Sequence, residues 1–360
     1  MADHSSRTLP MFARVIMVPV AVAAVIALLV LAFVWPTIKA APTGLTIAIT
    51  GDKDLVAAFT TSAGAALGDA VTLTTVDDRA AALAGIESRE FIGGIVMDSA
   101  KPEVLKSSAA GQVQSQIMGQ VATQLQVSLD AQMYAGLKTA FETLQKATVG
   151  GGVGPQGVTQ KAPAALPTVT VTDVVPLTSA DSAGGGLTAA GMPLTVGGLL
   201  CGVLVGAMIR GAAWRFTGLL VASLGGGAVA TAILGTWLGI YPARFVPVFL
   251  ALSASMFAIG GLFVGLHSLI GTPGFGLAAL IMVFAALPWA GFAVPPQFLP
   301  AHLGDIGQWL PPGATATLVR TLNYFPGAST LKPWLILGGW AVVCAVLVFL
   351  GRSAKSRRTD

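Results

Sequence analysis

The 360-residue chain is 54% hydrophobic and only 10% charged, with a formal net charge of +4. Soluble domains carry about 25% charged residues, so this composition excludes an ordinary water-soluble globular protein. No basic stripe with interleaved aromatics occurs, so nucleic-acid binding has no support.

Residues 1–14 are polar and carry Arg7 and Arg14. Residues 12–34 form an apolar run that stops at Trp35-Pro36. The run is longer than the core of a secretory signal and lacks a clean A-x-A site. Residues 1–36 therefore read as a cytoplasmic N-terminus and an uncleaved first transmembrane helix.

Residues 37–186 are the one sizeable polar portion. Runs 45–49, 71–76 and 91–97 are β-prone. They alternate with helical stretches that Asp54 and Asp77 are placed to cap. Such β-α-β-α-β order predicts a small α/β domain with a largely parallel sheet. A Gln-rich helical stretch follows over about 102–147. Val113, Ile117, Val121 and Leu125 form one apolar stripe, and Tyr134, Leu137, Phe141 and Leu144 form another. The stripes lie about half a turn apart at 100° per residue, which predicts either two helices or one long helix packed on two sides. Gly150-Gly151-Gly152 and Pro155-Gln156-Gly157 mark a loop, 168–175 is one more β-prone run, and Gly184-Gly185-Gly186 leads back into apolar sequence.

Residues 187–294 contain no Asp or Glu. Turn signals divide this block into four runs of about 190–209, 216–239, 246–270 and 275–294, each near the ~20 residues that cross a bilayer. Residues 187–296 thus hold transmembrane helices two to five. Residues 297–332 are too apolar for a linker and suit a re-entrant or interfacial hairpin. Residues 333–360 give a sixth helix and a basic tail. The expected fold is an α-helical polytopic membrane protein of six transmembrane helices, with an extracytoplasmic α/β domain between the first two.

Charge fixes the expected orientation. With both termini cytoplasmic, the inner segments hold Arg7, Arg14, Arg210, Arg215, Arg352, Lys355, Arg357 and Arg358. The outer short segments hold only Lys39, Arg244, Arg320 and Lys332, as the positive-inside rule requires.

Catalytic and cofactor patterns are absent from the sequence. There is no Walker A motif, and His4, His267 and His302 lie in unrelated segments without metal-ligand spacing. Cys201 and Cys344 both fall inside apolar runs. No catalytic, cofactor-binding or metal-ligating residue is expected. The G-x-x-x-G spacings at Gly198, Gly202 and Gly206 and at Gly261 and Gly265 predict helix contact faces, as does Gly225-Gly226-Gly227. A proton-driven pump normally keeps carboxylates inside the bilayer, so their absence here weighs against a proton-driven exporter half or a protein-export accessory subunit.

Two stretches carry a resemblance. One runs from Val76-Asp77-Asp78-Arg79-Ala80 through Ile86-Glu87-Ser88-Arg89-Glu90-Phe91-Ile92-Gly93-Gly94-Ile95-Val96. The other is Leu310-Pro311-Pro312-Gly313-Ala314, Leu318-Val319-Arg320 and Tyr324-Phe325-Pro326-Gly327-Ala328. Together with the one-plus-five topology, they resemble actinobacterial ABC type-2 permease-like membrane proteins related to the phage-infection-protein group. The resemblance implies a permease subunit of the bacterial plasma membrane, a homodimer or heterodimer in contact with membrane lipid. It would export a hydrophobic or envelope-related substrate, powered by a separate ABC ATPase subunit. An ATPase-coupling loop would fall on Arg210, Gly211, Trp214 and Arg215. An external gate or hairpin would fall on Pro311, Pro312, Gly313, Arg320, Tyr324 and Phe325, with Arg320 drawing anionic headgroups. The same hairpin also reads as a plain turn, with Trp309, Tyr324 and Phe325 forming an aromatic belt, and Glu87, Arg89 and Glu90 read as a solvated helix end. The competing class is a non-transporting envelope scaffold or receptor acting through residues 37–186.

Overall fold

The computed structural model describes residues 11–67, 71–98, 101–149 and 167–356. The 150–152 and 155–157 glycine loop, the first ten residues with Arg7, and the tail end with Arg357 and Arg358 lie outside the described residues. The chain is mostly helical, with a small mixed sheet.

Helix α1 (Met11–Ile38) precedes β1 (Leu45–Gly51), α2 (Lys53–Leu67), β2 (Val71–Thr75), α3 (Arg79–Glu87) and β3 (Gly93–Met97). β1 pairs in parallel with both β2 and β3. β4 (Glu103–Lys106) then pairs antiparallel with β3, and β5 (Thr170–Asp173) pairs in parallel with β4. The order is β2-β1-β3-β4-β5. The sheet is therefore mixed, where a largely parallel one was expected. A parallel return needs a crossover of a dozen or more residues, and the chain between Met97 and Glu103 is far shorter. β4 itself was read as the start of the Gln-rich helix; Val104 and Leu105 are both fully buried in the sheet.

The helix caps shift as well. Asp52, not Asp54, opens α2: its side chain accepts the Asp54 N–H at 3.0 Å and its carbonyl accepts from Val56 at 2.8 Å. Asp78, not Asp77, caps α3 by accepting the Ala81 N–H at 2.7 Å. In each case the capping carboxylate stands just before the first helical residue, where it meets an orphan N–H.

The strand pleat sends Ile47, Ile49, Ile95 and Val104 to one face. There they pack with Met118, Val121 and Leu125 of α4 (Gln112–Val149). α4 is one unbroken helix about 57 Å long at 1.5 Å per residue. Its first half packs on the sheet on one side. On the second half Tyr134 is 79% and Phe141 68% exposed, and Leu137 is exposed as well, so these three residues of the second stripe are not packed as expected.

Arg79 donates to the Glu103 carboxylate through Nε at 2.7 Å and a terminal nitrogen at 2.9 Å, and Thr172 donates at 2.5 Å, tying α3, β4 and β5 together. The Arg79 hydrogen bond holds Glu103 below the usual carboxylate range. A depressed carboxylate stabilises the fold above its unfolded pKa and loses that contribution as pH falls through its folded pKa. Because Arg79 is nearly half exposed, the effect is at most about 1 kcal/mol. Thermal unfolding of Glu103→Gln should fall below that of the unsubstituted protein at pH 7 and converge with it near pH 3.

A short α5 (Gly185–Ala189) leads to α6 (Gly191–Met208), α7 (Ala212–Thr231, extended by a π turn to Trp237) and α8 (Phe245–Ile270). α9 (Pro273–Leu280) also runs into a π turn, Ile281–Ala286. After α10 (Leu303–Gln308) and α11 (Pro311–Tyr324) comes α12 (Leu331–Ser356). α8 is the axis: residues 255–265 are buried without interruption. α6, α7, α9, α11 and α12 all pack against it.

Four helices are long and apolar enough to cross a membrane: Gly191–Met208, Ala212–Trp237, Phe245–Ile270 and Leu331–Gly351. Two shorter apolar stretches, Ala23–Pro36 and Pro273–Ala286, accompany them. The run expected at 275–294 as a full span is regular only to Ala286. Pro288 lacks an amide hydrogen and disfavours helical geometry at Leu287, and Gly291 then adopts φ +82°.

Candidate functional site

Two places hold the residues singled out in the sequence, and they sit at opposite ends of the bundle. At the end away from the sheet, α6 stops at Ile209 and α7 begins after Gly211, whose φ of +87° lets the chain reverse in three residues. Arg215 faces inward. Its Nε donates to the Ile209 carbonyl at 2.8 Å, and its terminal nitrogens donate to the Gly206 carbonyl at 3.0 Å and to Ser268 Oγ at 2.9 Å. It thus satisfies carbonyls that the end of α6 leaves open and fastens them to α8. Arg210 and Trp214 point outward, Trp214 at 72% exposure. Of the four residues, then, Arg215 holds the fold while Arg210 and Trp214 offer a surface. Arg215→Ala should lower stability by about 1–3 kcal/mol in detergent thermal unfolding, and Arg210→Ala by no more than about 0.5 kcal/mol.

At the sheet end, the segment after α9 enters the bundle and turns back. Pro311 and Pro312 occupy the first turn of α11, where a missing amide hydrogen leaves nothing unsatisfied. They start a helix; they do not form a simple turn. Thr315 Oγ1 is hydrogen-bonded to Ser255 Oγ and to the Pro311 carbonyl, each at 2.7 Å. Trp340 Nε1 donates to the Trp309 carbonyl at 2.8 Å, and Gln308 Nε2 donates to the Ala290 carbonyl at 3.1 Å. Ser255 lies ten residues into α8 and Trp340 nine residues into α12. The elbow between α10 and α11 therefore reaches about 14 Å or more along the bundle from its sheet-side rim.

The outer half of α11 carries the remaining residues. Tyr324 is 7%, Phe325 1% and Arg320 6% exposed. Tyr324 Oη donates to the Ile240 carbonyl at 2.9 Å. The aromatic belt reading is thus corrected: Trp309 is exposed, while Tyr324 and Phe325 are core residues. The reading of Arg320 as an exposed lure for headgroups falls with it, because α11 packs inward against α8 along most of its surface.

Arg89 was missed. It follows α3 in a left-handed conformation, φ +65°, which turns its side chain toward the bundle and not into solvent. One terminal nitrogen donates to Thr321 Oγ1 at 2.7 Å, and its guanidinium lies 5.2 Å from the Phe325 ring centroid. The positive φ has no sequence signal, since neither Gly nor Asn stands there. One hydrophobic cluster runs unbroken from Ala82, Ile86 and Phe91 of the domain to Tyr324 and Phe325. Arg89 thus reaches α11 at that seam, one residue along from Arg320.

Among the described residues no group of His, Cys, Asp and Glu could hold a metal ion. No protein-family model matches the chain, and no curated protein matches it significantly.

Proposed function

We propose that the chain is a six-span permease subunit of a bacterial plasma membrane, similar in mechanism to ABC type-2 exporters. It would carry a hydrophobic or envelope-related substrate and be powered by a separate ATPase. In this reading α1 and Pro273–Ala286 join the four long helices, the sheet domain lies outside, and both termini lie inside with Arg210 and Arg215. The observation that carries it is the pair of broken helices within the bundle. α9 gives way at a π turn, and the α10–α11 elbow enters and leaves from the same end, bringing Thr315, Gln308 and Thr317 among apolar helices. Irregular backbone at membrane depth is tolerated only where protein or a cavity covers it, and discontinuous helices of this kind build transport sites. No catalytic role is assigned to any residue.

The short 209–211 connection leaves Arg210 and Trp214 as the surface for an ATPase. Purification of the tagged protein from its own membranes in mild detergent should recover a P-loop ATPase. The double variant Arg210→Ala, Trp214→Ala should lose it while keeping the fold. Recovery of envelope components alone, with no ATPase, overturns the powered permease.

A second reading has its own observation. The outer half of α4 projects with Tyr134, Leu137 and Phe141 exposed on one side, as a scaffold or receptor that acts through its external domain would need.

A further inference from the structure

One groove on the bundle has apolar walls along its length and a cation at one end. It measures about 580 Å³ and runs between α12 and the elbow that carries Trp309. Leu335, Gly339 and Val343 line it from α12, on the one face that i, i+4 spacing gives them. Trp309 forms the opposite wall, and the hydrogen bond from Trp340 Nε1 to its carbonyl fixes that wall against α12. Gly339 supplies the depth: an added Cβ there would meet nothing within 4 Å. Leu335 is 65% and Trp309 63% exposed, so the groove faces outward. Because α12 is one of the helices long and apolar enough to cross a membrane, what lies outside this face is lipid.

Its place on the helix sets what fits. The link before α12 adjoins the sheet domain, since a Cβ at Gly327 would lie 3.8 Å from the Glu87 carbonyl oxygen. Lys332, in the first turn of α12, is therefore at the sheet-side rim. Val343 lies about 17 Å further down the helix, close to half of a ~30 Å hydrocarbon core. The groove thus runs from headgroup level to near the midplane. Spread over that length, 580 Å³ gives a mean cross-section of about 34 Å², whereas a helix ~10 Å across needs about 80 Å². The groove is too thin for a partner helix and accepts a single hydrocarbon chain. Its mouth adds a charge. Lys332 Nζ lies 5.7 Å from the Trp309 ring centroid, which keeps the ammonium at the entrance. Among the described residues no carboxylate pairs with it. A lysine near a helix end lays its stem on apolar surface and holds its charge at headgroup level, where it attracts anionic lipid. Apolar slot below and cation above match the two parts of one amphiphile.

We propose that this groove binds one anionic phospholipid, with an acyl chain along Leu335, Gly339 and Val343 and the phosphate on the Lys332 ammonium. A lipid seated there braces the Trp309 elbow against α12. The site does not depend on the transport reading.

The test titrates the full-length protein in neutral detergent with phosphatidylglycerol whose acyl chains carry bromine, a contact quencher of tryptophan emission. Phosphatidylcholine with the same chains is the comparison. Trp309 and Trp340 border the groove, so phosphatidylglycerol should quench in a saturable phase that ends near one lipid per chain. Phosphatidylcholine should need about fivefold more lipid, the worth of one lysine at an anionic surface. Lys332→Gln should remove that difference. Gly339→Leu fills the groove and should abolish the saturable phase for both lipids. Gly338→Leu, beside it but outside the groove, should retain it; an added Cβ at either glycine meets nothing within 4 Å, so neither variant strains the fold. A saturable phase that survives Gly339→Leu, equal affinity for the two lipids, or no saturable phase in the unsubstituted protein overturns the proposal. So does a dimer on size exclusion that Gly339→Leu dissolves while quenching is unchanged, because the groove then belongs to a second copy of the chain.

Discussion

Gly202→Val should prevent α6 from seating on α8 and should lower stability by about 3 kcal/mol, the upper range for overpacking a core. A Cβ at Gly202 would be driven into the backbone of Gly260 on α8, touching its carbonyl oxygen and Cα. The reverse contact is also close, since a Cβ at Gly260 would lie 2.9 Å from the Gly198 carbonyl oxygen. Neither neighbour is a flexible side chain that could move aside. Close approach through small residues is what holds helices together where lipid is as apolar as their side chains. Gly225 makes the control: nothing lies within 4 Å of an added Cβ there. Gly225→Ala should leave stability unchanged or raise it by about 0.5–1 kcal/mol through helix propensity. Detergent thermal unfolding with size-exclusion profiles measures both. Equal behaviour of the two variants would remove the Gly202–Gly260 crossing as a determinant of the bundle.

The glycine spacing was legible in the sequence because it reports a local geometric need. Gly198, Gly202 and Gly206 do form the face of α6 toward α8 and α9, while Gly261 and Gly265 meet Cys344 and Leu347 of α12. The long apolar runs were legible for a similar reason, since one helix needs only its own composition to declare itself. β1, β2 and β3 showed through their branched residues and the acidic caps between them. What could not be read depends on contacts distant in sequence. β4 is four residues long and lies between a proline and a glutamine-rich helix, so its pairing with β3 outweighs its local pattern. The half-turn offset of the α4 stripes was real, but periodicity cannot say whether a stripe has a partner. Arg89 and Thr321, 232 positions apart, come together only because the α3–β3 turn docks on α11. Arg89 alone has the sequence environment of a surface arginine.

The elbow at α11 yields the other large effect. Gly313→Val should displace α10 from α11 and open the turned-back segment, with a loss of about 3 kcal/mol. The physical reason is a stack of backbones. A Cβ at Gly313 would strike the Gly307 carbonyl, and a Cβ at Gly307 would strike the Trp289 carbonyl. Three strands of main chain therefore lie in contact with no side chain between them. Pro311 and Pro312 sharpen the demand by fixing the direction in which α11 leaves the elbow. Gly313→Ala should show part of the loss. Gly338→Ala in α12, where an added Cβ meets nothing within 4 Å, should show none. Because the Trp309 carbonyl accepts from Trp340 and the Trp309 ring lies 5.7 Å from Lys332 Nζ, opening the elbow should also change tryptophan emission before global unfolding. An emission change at lower temperature in Gly313→Val than in Gly338→Ala would show the elbow yielding first. A single transition shared by both variants would mean that the elbow is no weaker than the bundle around it. The Thr315–Ser255 hydrogen bond would then be the contact to remove next.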